Sequence, residues 1–203
     1  MQLKTYQRAT LDSLDRFLSR ARAQGPAAAF EAEVKRQEEE ARLEGRKLDK
    51  RLYKPMDGLP EVPKVCLRLP TGGGKTLLAT IQSFNVTKTS GRKVYSHHED
   101  LEPHFSGLPT EGMEVVSAEE ATSNDMLREG QVKFSFANLL YHNRPLMIVD
   151  EAHNAVTGLS SVMQQRLRPS AVVEFTATPR GMQNILHSVT ATALKDEEMI
   201  KLP

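Results

Sequence analysis

Three consecutive glycines constrain this chain more than any other feature. They sit in the run Val65-Cys66-Leu67-Arg68-Leu69-Pro70-Thr71-Gly72-Gly73-Gly74-Lys75-Thr76-Leu77-Leu78-Ala79. The apolar residues before them predict a short strand, and those from Lys75 onward predict a helix. A backbone that must curl between the two needs glycine, which alone reaches the required dihedrals at no steric cost. A loop of this kind at a helix N-terminus presents unpaired N–H groups and the positive end of the helix dipole, so it favours a polyphosphate. Lys75 is placed to reach the β- and γ-phosphates, and the Thr76 hydroxyl to ligate Mg²⁺. One position departs from the strict phosphate-loop pattern: Leu69 stands five residues before Gly74, where that pattern has glycine.

Two further apolar runs end in chemistry. Pro145-Leu146-Met147-Ile148-Val149 stops abruptly at Asp150-Glu151. Cleaving a phosphoanhydride needs a metal near the phosphates and a base that orients water. Asp150 can hold the metal and Glu151 can serve as the base, although Asp150 would equally cap a following helix. Ala171-Val172-Val173-Glu174-Phe175 is a third strand, closed by Thr176-Ala177-Thr178-Pro179. About twenty residues separate these two runs, enough for a crossover helix and therefore a parallel pair. The expected fold class is α/β: a mostly parallel sheet flanked by helices, with strand 171–176 between strands 65–69 and 146–150. Open sheets of this kind gather their ligands beyond the C-terminal strand ends.

Elsewhere the pattern is plainer. Leu11, Leu14, Phe17, Leu18 and Ala21 fall at helical spacing, and Gly25-Pro26 ends that helix. From Glu31 to Lys54, 15 of 24 residues are charged, which predicts a solvated helix with Glu31–Lys35 and Glu38–Arg42 pairs. Pro55, Gly58, Pro60 and Pro63 make a loop. Ser117 with Glu120 has the capping-box form, predicting a helix over 117–128. Lys93–Tyr95, Met113–Val116 and Val132–Phe136 look extended. His97, His98, Glu99, Asp100 and His104 lack metal-ligand spacing and read as a polar loop.

Composition excludes little. Hydrophobic residues make up 39% and charged residues 26%, as in ordinary globular proteins. No run approaches the ~18 apolar residues that span a bilayer, and the first residues lack the apolar core of a signal peptide. A single cysteine, Cys66, cannot form an internal disulfide and suits a reducing cytoplasm as a buried thiol. The formal charge of +1 neither advertises nor forbids nucleic-acid binding.

Asp150-Glu151-Ala152-His153 is a DEAH box, and with Pro70–Thr76 it resembles a superfamily 2 helicase. Thr176-Ala177-Thr178-Pro179 is similar to that group's motif III, and Leu3-Lys4-Thr5-Tyr6-Gln7 to its adenine-recognition segment. More narrowly, LRLPTGGGKTLLA, IVDEAHNA, VVEFTATP and the ending LHSVTATALKDEEMIKLP resemble the Res subunit of type III restriction enzymes. The resemblance covers most of the chain outside 31–54. It implies a RecA-like P-loop NTPase lobe that binds ATP and Mg²⁺ and acts on double-stranded DNA, with a modification subunit as a further partner. Thr71, Gly72, Gly73, Gly74, Lys75 and Thr76 would hold the phosphates, and Thr76 and Asp150 the metal. Lys75, Asp150 and Glu151 would be catalytic. His153 would link the nucleotide to motif III, Thr176 and Thr178 would couple hydrolysis to DNA movement, and Gln7 would read adenine.

The division expected is an N-terminal helical segment, 1–60, followed by a first helicase lobe, 61–203, without the second lobe. Lys75 and Asp150 lie 75 positions apart, and the DNA-contacting motif expected around Ile81 to Lys93 is not recognisable. Two other readings therefore stand beside a DNA motor: a P-loop ATPase that moves no nucleic acid, and a remnant that binds nucleotide without turnover.

Overall fold

The computed structural model describes residues 3–70, 94–150, 152, 158–179, 181 and 183–196. In chain order these form α1 (Thr5–Gln24), α2 (Pro26–Leu43), β1 (Lys64–Arg68), a 3₁₀ helix (Glu99–Phe105), α3 (Ala118–Ser123) and α4 (Phe136–Asn143). There follow β2 (Leu146–Val149), α5 (Gly158–Leu167), β3 (Ala171–Thr176), β4 (Ile185–Ser188) and α6 (Ala191–Asp196). Two compact units result: one holds Met1–Ala79, Leu146–Val156 and Ser170–Pro203, the other Thr80–Pro145 and Thr157–Pro169. The expected division at residue 60 coincides with no boundary between them.

In the first unit the four strands form one sheet, ordered β2-β3-β1-β4, and every pairing is parallel. β3 lies between β1 and β2, as the strand patterns predict. β4 was not anticipated. Its four residues, Ile-Leu-His-Ser, carry too little periodicity to stand out. Side chains alternate along a strand, so Val65, Leu67, Val173 and Phe175 share one face. That face packs against Phe17 and Ala21 of α1, Ala29, Phe30 and Val34 of α2, and Leu186. The N-terminal helices thus cover the sheet and share its core.

α1 runs as the sequence predicts but is rotated. Tyr6, Thr10, Ser13, Phe17 and Ala21 are buried, whereas Leu11 stays 48% exposed. Two of the buried residues are polar because each finds a partner: Thr10 bonds the Tyr6 carbonyl at 2.7 Å and Ser13 bonds Glu33 at 2.7 Å. Gly25, at φ +83 and ψ 161, lets α1 stop and α2 start at Pro26 with no intervening loop. Only glycine is at ease there, and proline suits the first helical position.

The charged segment 31–54 departs from expectation. The helix ends at Leu43, and Glu33 within it is fully buried. Glu31–Lys35 pair at 3.0 Å as expected, but Arg42 turns to Glu39 rather than Glu38. Around Glu33 converge Ser13, Arg16 at 3.0 Å and Arg36 at 2.8 Å. Asn184 stitches the following stretch to the sheet, bonding both Lys54 backbone groups and the Lys64 carbonyl.

The second unit holds the 3₁₀ helix, α3, α4 and α5. Ser117 and Glu120 form the predicted capping box, but α3 stops at Ser123, and the Asn124 side chain accepts from the Met126 N–H at 3.1 Å. That local turn competes with helix propagation. Val132–Phe136 is not a strand. It makes one antiparallel bridge, Val132 to Val115, after which Ser135 caps α4 and buried Asn138 takes the Lys133 carbonyl at 2.8 Å. Val94 and Tyr95 lie in a turn. Arg166 stacks on the Tyr95 ring at 3.9 Å and pairs with Glu114.

Burial alone would raise the Glu33 carboxyl, but hydrogen bonds from Arg36, Arg16 and Ser13 outweigh it and hold the group down at about 2. A carboxylate depressed on folding stabilises above its unfolded value, here 4.5, and that contribution is lost as pH falls towards 2. Glu33→Gln is therefore expected to cost about 1–3 kcal/mol at pH 7, read by urea denaturation. The gap from wild type should narrow as pH drops through that window. A gap independent of pH would refute the assignment.

Candidate functional site

The strands that precede three of the sequence's motifs end at one edge of the sheet. β1 ends at Arg68 and continues through buried Leu69 and Pro70. The Leu69 N–H donates to the Thr176 carbonyl at 3.0 Å, and the Arg68 carbonyl accepts from the Val189 N–H at 2.9 Å. The chain entering the glycine loop is therefore held on both sides. Arg68 is level with Thr176, and Val149 with Glu174. Neighbouring strands lie about 4.8 Å apart, so the tip of β2 stands about 10 Å across the edge from that of β1, with β3 between.

Asp150 follows β2 directly and is exposed, while Val149 and Ala152 on either side of the acidic pair are fully buried. This is a strand end anchored by apolar side chains with a carboxylate left at the surface. On β3, Thr176 is fully buried and its hydroxyl accepts from the Thr178 N–H at 3.2 Å. Thr178 itself is exposed. The Thr176 side chain thus shapes the turn, and Thr178 is the one that faces outward.

Gln7 lies in the first turn of α1, half-buried. Its carbonyl oxygen accepts from the Lys4 N–H at 3.0 Å and so caps the helix. Its neighbour Tyr6 packs in one cluster with Leu69, Val189 and Leu194, which brings the start of α1 to the same strand ends. The structure therefore gathers Gln7, Asp150, Thr176 and Thr178 at one side of the unit. Residues 71–76, Glu151 and His153 lie outside the described residues.

Sequence reasoning missed the polar pair behind this edge. Glu174, 4% exposed, meets Lys64 at 3.1 Å and Gln183 at 3.3 Å. A single acid in an otherwise apolar strand was the available signal. His97 accepts from the Phe134 N–H at 3.2 Å and stacks on that ring at 4.9 Å, so it is a structural residue of the second unit. Among the described residues no group of His, Cys, Asp and Glu forms a metal cluster, and no helix is long and apolar enough to cross a membrane. No protein-family model, curated protein or solved structure matches the chain.

Cys66 sits inside the sheet beneath this edge, fully buried. Burial pushes its thiol up to about 12, and the nearby Glu174 charge adds to the effect. The thiolate is the reactive form. The native protein at pH 8 should therefore resist thiol-reactive reagents and become labelled only on denaturation. Rapid labelling of the folded chain would contradict this burial.

Proposed function

We propose that the chain is the ATP-binding and ATP-hydrolysing lobe of a DEAH-type helicase or DNA translocase, of the kind found in the Res subunit of type III restriction enzymes. The observation that carries this reading is the strand order β2-β3-β1, all parallel. It sends the segments after Leu69, Val149 and Phe175 from adjacent strand ends at one edge. The strands that lead into Thr71–Thr76 and into Asp150-Glu151 therefore end beside the Thr-Ala-Thr turn, as a RecA-like lobe requires.

In this reading Thr71, Gly72, Gly73, Gly74, Lys75 and Thr76 cradle the ATP phosphates. Thr76 and Asp150 hold Mg²⁺, which supplies charge neutralisation on the phosphate oxygens. The donor set fits a hard cation, being hydroxyl and carboxylate oxygen. Glu151 orients and deprotonates the attacking water. His153, Thr176 and Thr178 relay the nucleotide state, and Gln7 reads adenine. Double-stranded DNA is the proposed track, with a modification subunit as partner and the cytoplasm as compartment.

A P-loop ATPase that moves no nucleic acid is the second reading. It is favoured by the unrecognisable DNA-contacting motif around Ile81 to Lys93. DNA stimulation of turnover separates the two.

Lys75→Ala is expected to remove a charge-assisted contact worth about 1.5–3 kcal/mol and weaken ATP–Mg²⁺ accordingly in calorimetry. Glu151→Gln should leave that affinity nearly unchanged while reducing phosphate release by about 10²–10⁴. In such motors the arginine that stabilises transferring phosphoryl charge, worth about 10³–10⁵ in rate, comes from a second lobe. Residues 1–203 assayed by themselves should therefore turn over slowly, with little response to DNA. Equal ATP affinity in wild type and Lys75→Ala would sink the assignment, and turnover of several per second with strong DNA stimulation would sink the single-lobe account. Gln7→Glu keeps the acceptor that caps α1 and removes the donor. It should preserve the melting temperature while weakening ATP, and unchanged ATP affinity would remove Gln7 from the site.

A further inference from the structure

A cavity of about 410 Å³ opens between α1, α2, the irregular segment after α2, and the end of β4. This is within the range of small-ligand sites. Four arginines border it, Arg16, Arg36, Arg46 and Arg51, and three are matched. Arg16 and Arg36 bond the buried Glu33, Arg36 also holds Glu40, and Arg46 pairs with Glu44.

Arg51 differs. Its guanidinium donates to the Ile185 carbonyl at 3.0 Å and to the Gln37 side-chain oxygen at 2.8 Å, both neutral. Among the described residues no carboxylate hydrogen-bonds it, and Glu38 and Glu33 act on it only through space. The group is half-buried, and burial lowers its pKa. A guanidinium carries five N–H donors, so it retains hydrogen-bonding capacity beyond these two contacts. Beside it β4 brings two more donors. The register slips between Cys66 and Leu67, and this irregularity lets Leu186 enter the apolar core while the adjacent His187 lines the cavity. Ser188 follows it on the same wall.

We propose that this cavity is a binding site for a small phosphate-type oxyanion, taken by Arg51, His187 and Ser188. Asp12 also borders the cavity, but it lies on the exposed face of α1, where solvent screens it. The half-buried Arg51 charge is screened less than Asp12, and the other two lining carboxylates, Glu40 and Glu44, are already paired with Arg36 and Arg46. The site is separate from residues 71–76 and stands independently of the nucleotide proposal.

His187 gives the readout. Its pKa is lowered from 6.5 by burial, opposed by Glu33 and reinforced by Arg36, Arg16 and Arg51. Asp12, Glu40, Glu44 and Arg46 are the other charged groups lining the cavity. The imidazole is therefore neutral at pH 7, and an anion beside it must favour the protonated form. Binding should tighten as pH falls below 6.5, the ordinary value.

The test is NMR titration of histidine-labelled Lys75→Ala chain, which removes the proposed phosphate-loop contact. Inorganic phosphate and a nucleoside monophosphate are compared at pH 7, and sulfate, whose charge is constant in this range, across pH. Phosphate is expected to shift His187, and sulfate to raise its pKa. Arg51→Gln should weaken binding tenfold or more, whereas Asp12→Asn, an exposed and screened change, should leave it nearly unchanged. If only the monophosphate binds, with the same variant effects, the phosphate group belongs to a larger ligand and the site stands. No binding of either probe, or binding indifferent to Arg51, overturns the proposal. Phosphate binding that vanishes with Lys75→Ala also overturns it and leaves the nucleotide reading intact.

Discussion

The parallel pairing of β1 with β3, from Lys64↔Val172 to Arg68↔Thr176, governs the rest of the sheet unit. Parallel strands cannot be joined by a tight turn, so the chain must leave the sheet after each strand and return at its far end. Every departure is then from the same edge, and residues distant in sequence become neighbours there. The register also sorts the faces. Val65 and Leu67 fall beside Val173 and Phe175, giving α1 and α2 an apolar floor, while Cys66 and Glu174 go to the other side. Glu174 can sit there nearly dry because Lys64 comes within 3.1 Å.

On that floor the helix pair is oriented by a polar knot. Buried ion pairs are weak sources of stability, because desolvation offsets the Coulomb attraction. What the knot around Glu33 supplies is direction. Ser13 and Arg16 must face Glu33 and Arg36, which fixes the rotation of each helix and explains why Ser13, not Leu11, is buried. The knot also reaches the sheet. Gln37 contacts Ser13 and Glu33, then donates to the Leu186 carbonyl at 2.9 Å, while Arg51 takes the Ile185 carbonyl. Two acceptors on the outer strand are thereby satisfied, which protects an edge that could otherwise pair with another chain.

The three strands with long apolar runs were legible in the sequence because their periodicity and their terminations agreed. Glycines, paired acids and a Thr-Ala-Thr-Pro turn each mark where a strand must stop. The Gly25-Pro26 break and the Ser117–Glu120 box were readable for the same reason, since local chemistry decides them. What failed depended on partners far along the chain. Glu33 looks like any residue of a charged helix, and only Ser13 and Arg16, about twenty positions earlier, make it a core residue. β4 is too short to declare itself and exists through its pairing with β1. Val132–Phe136 alternates like a strand, but the Asn138 side chain takes its Lys133 carbonyl and Ser135 caps α4 instead of continuing a ladder. At the candidate site the residues at the strand ends could be read, whereas the capping use of Gln7 could not, because it depends on how α1 begins.

That use bears on how α1 could serve a nucleotide. Bidentate recognition of adenine needs the donor and the acceptor of one amide, and the Gln7 acceptor is engaged by the Lys4 N–H. An amide oxygen has two lone pairs, so sharing is possible if the geometry allows. If it does not, the capping bond must open. Its net worth at an exposed helix start is about 0.5–1.5 kcal/mol, against about 1–3 kcal/mol for a good bidentate pair. At the middle of both ranges the exchange favours the ligand. Fraying of the first turn would be confined, because Tyr6 is anchored among Leu69, Val189 and Leu194. That anchor also links any movement of the α1 start to Leu69, whose N–H is bonded to Thr176. Adenine contact, loop entry and the Thr-Ala-Thr turn would then respond together through one apolar cluster and one backbone hydrogen bond.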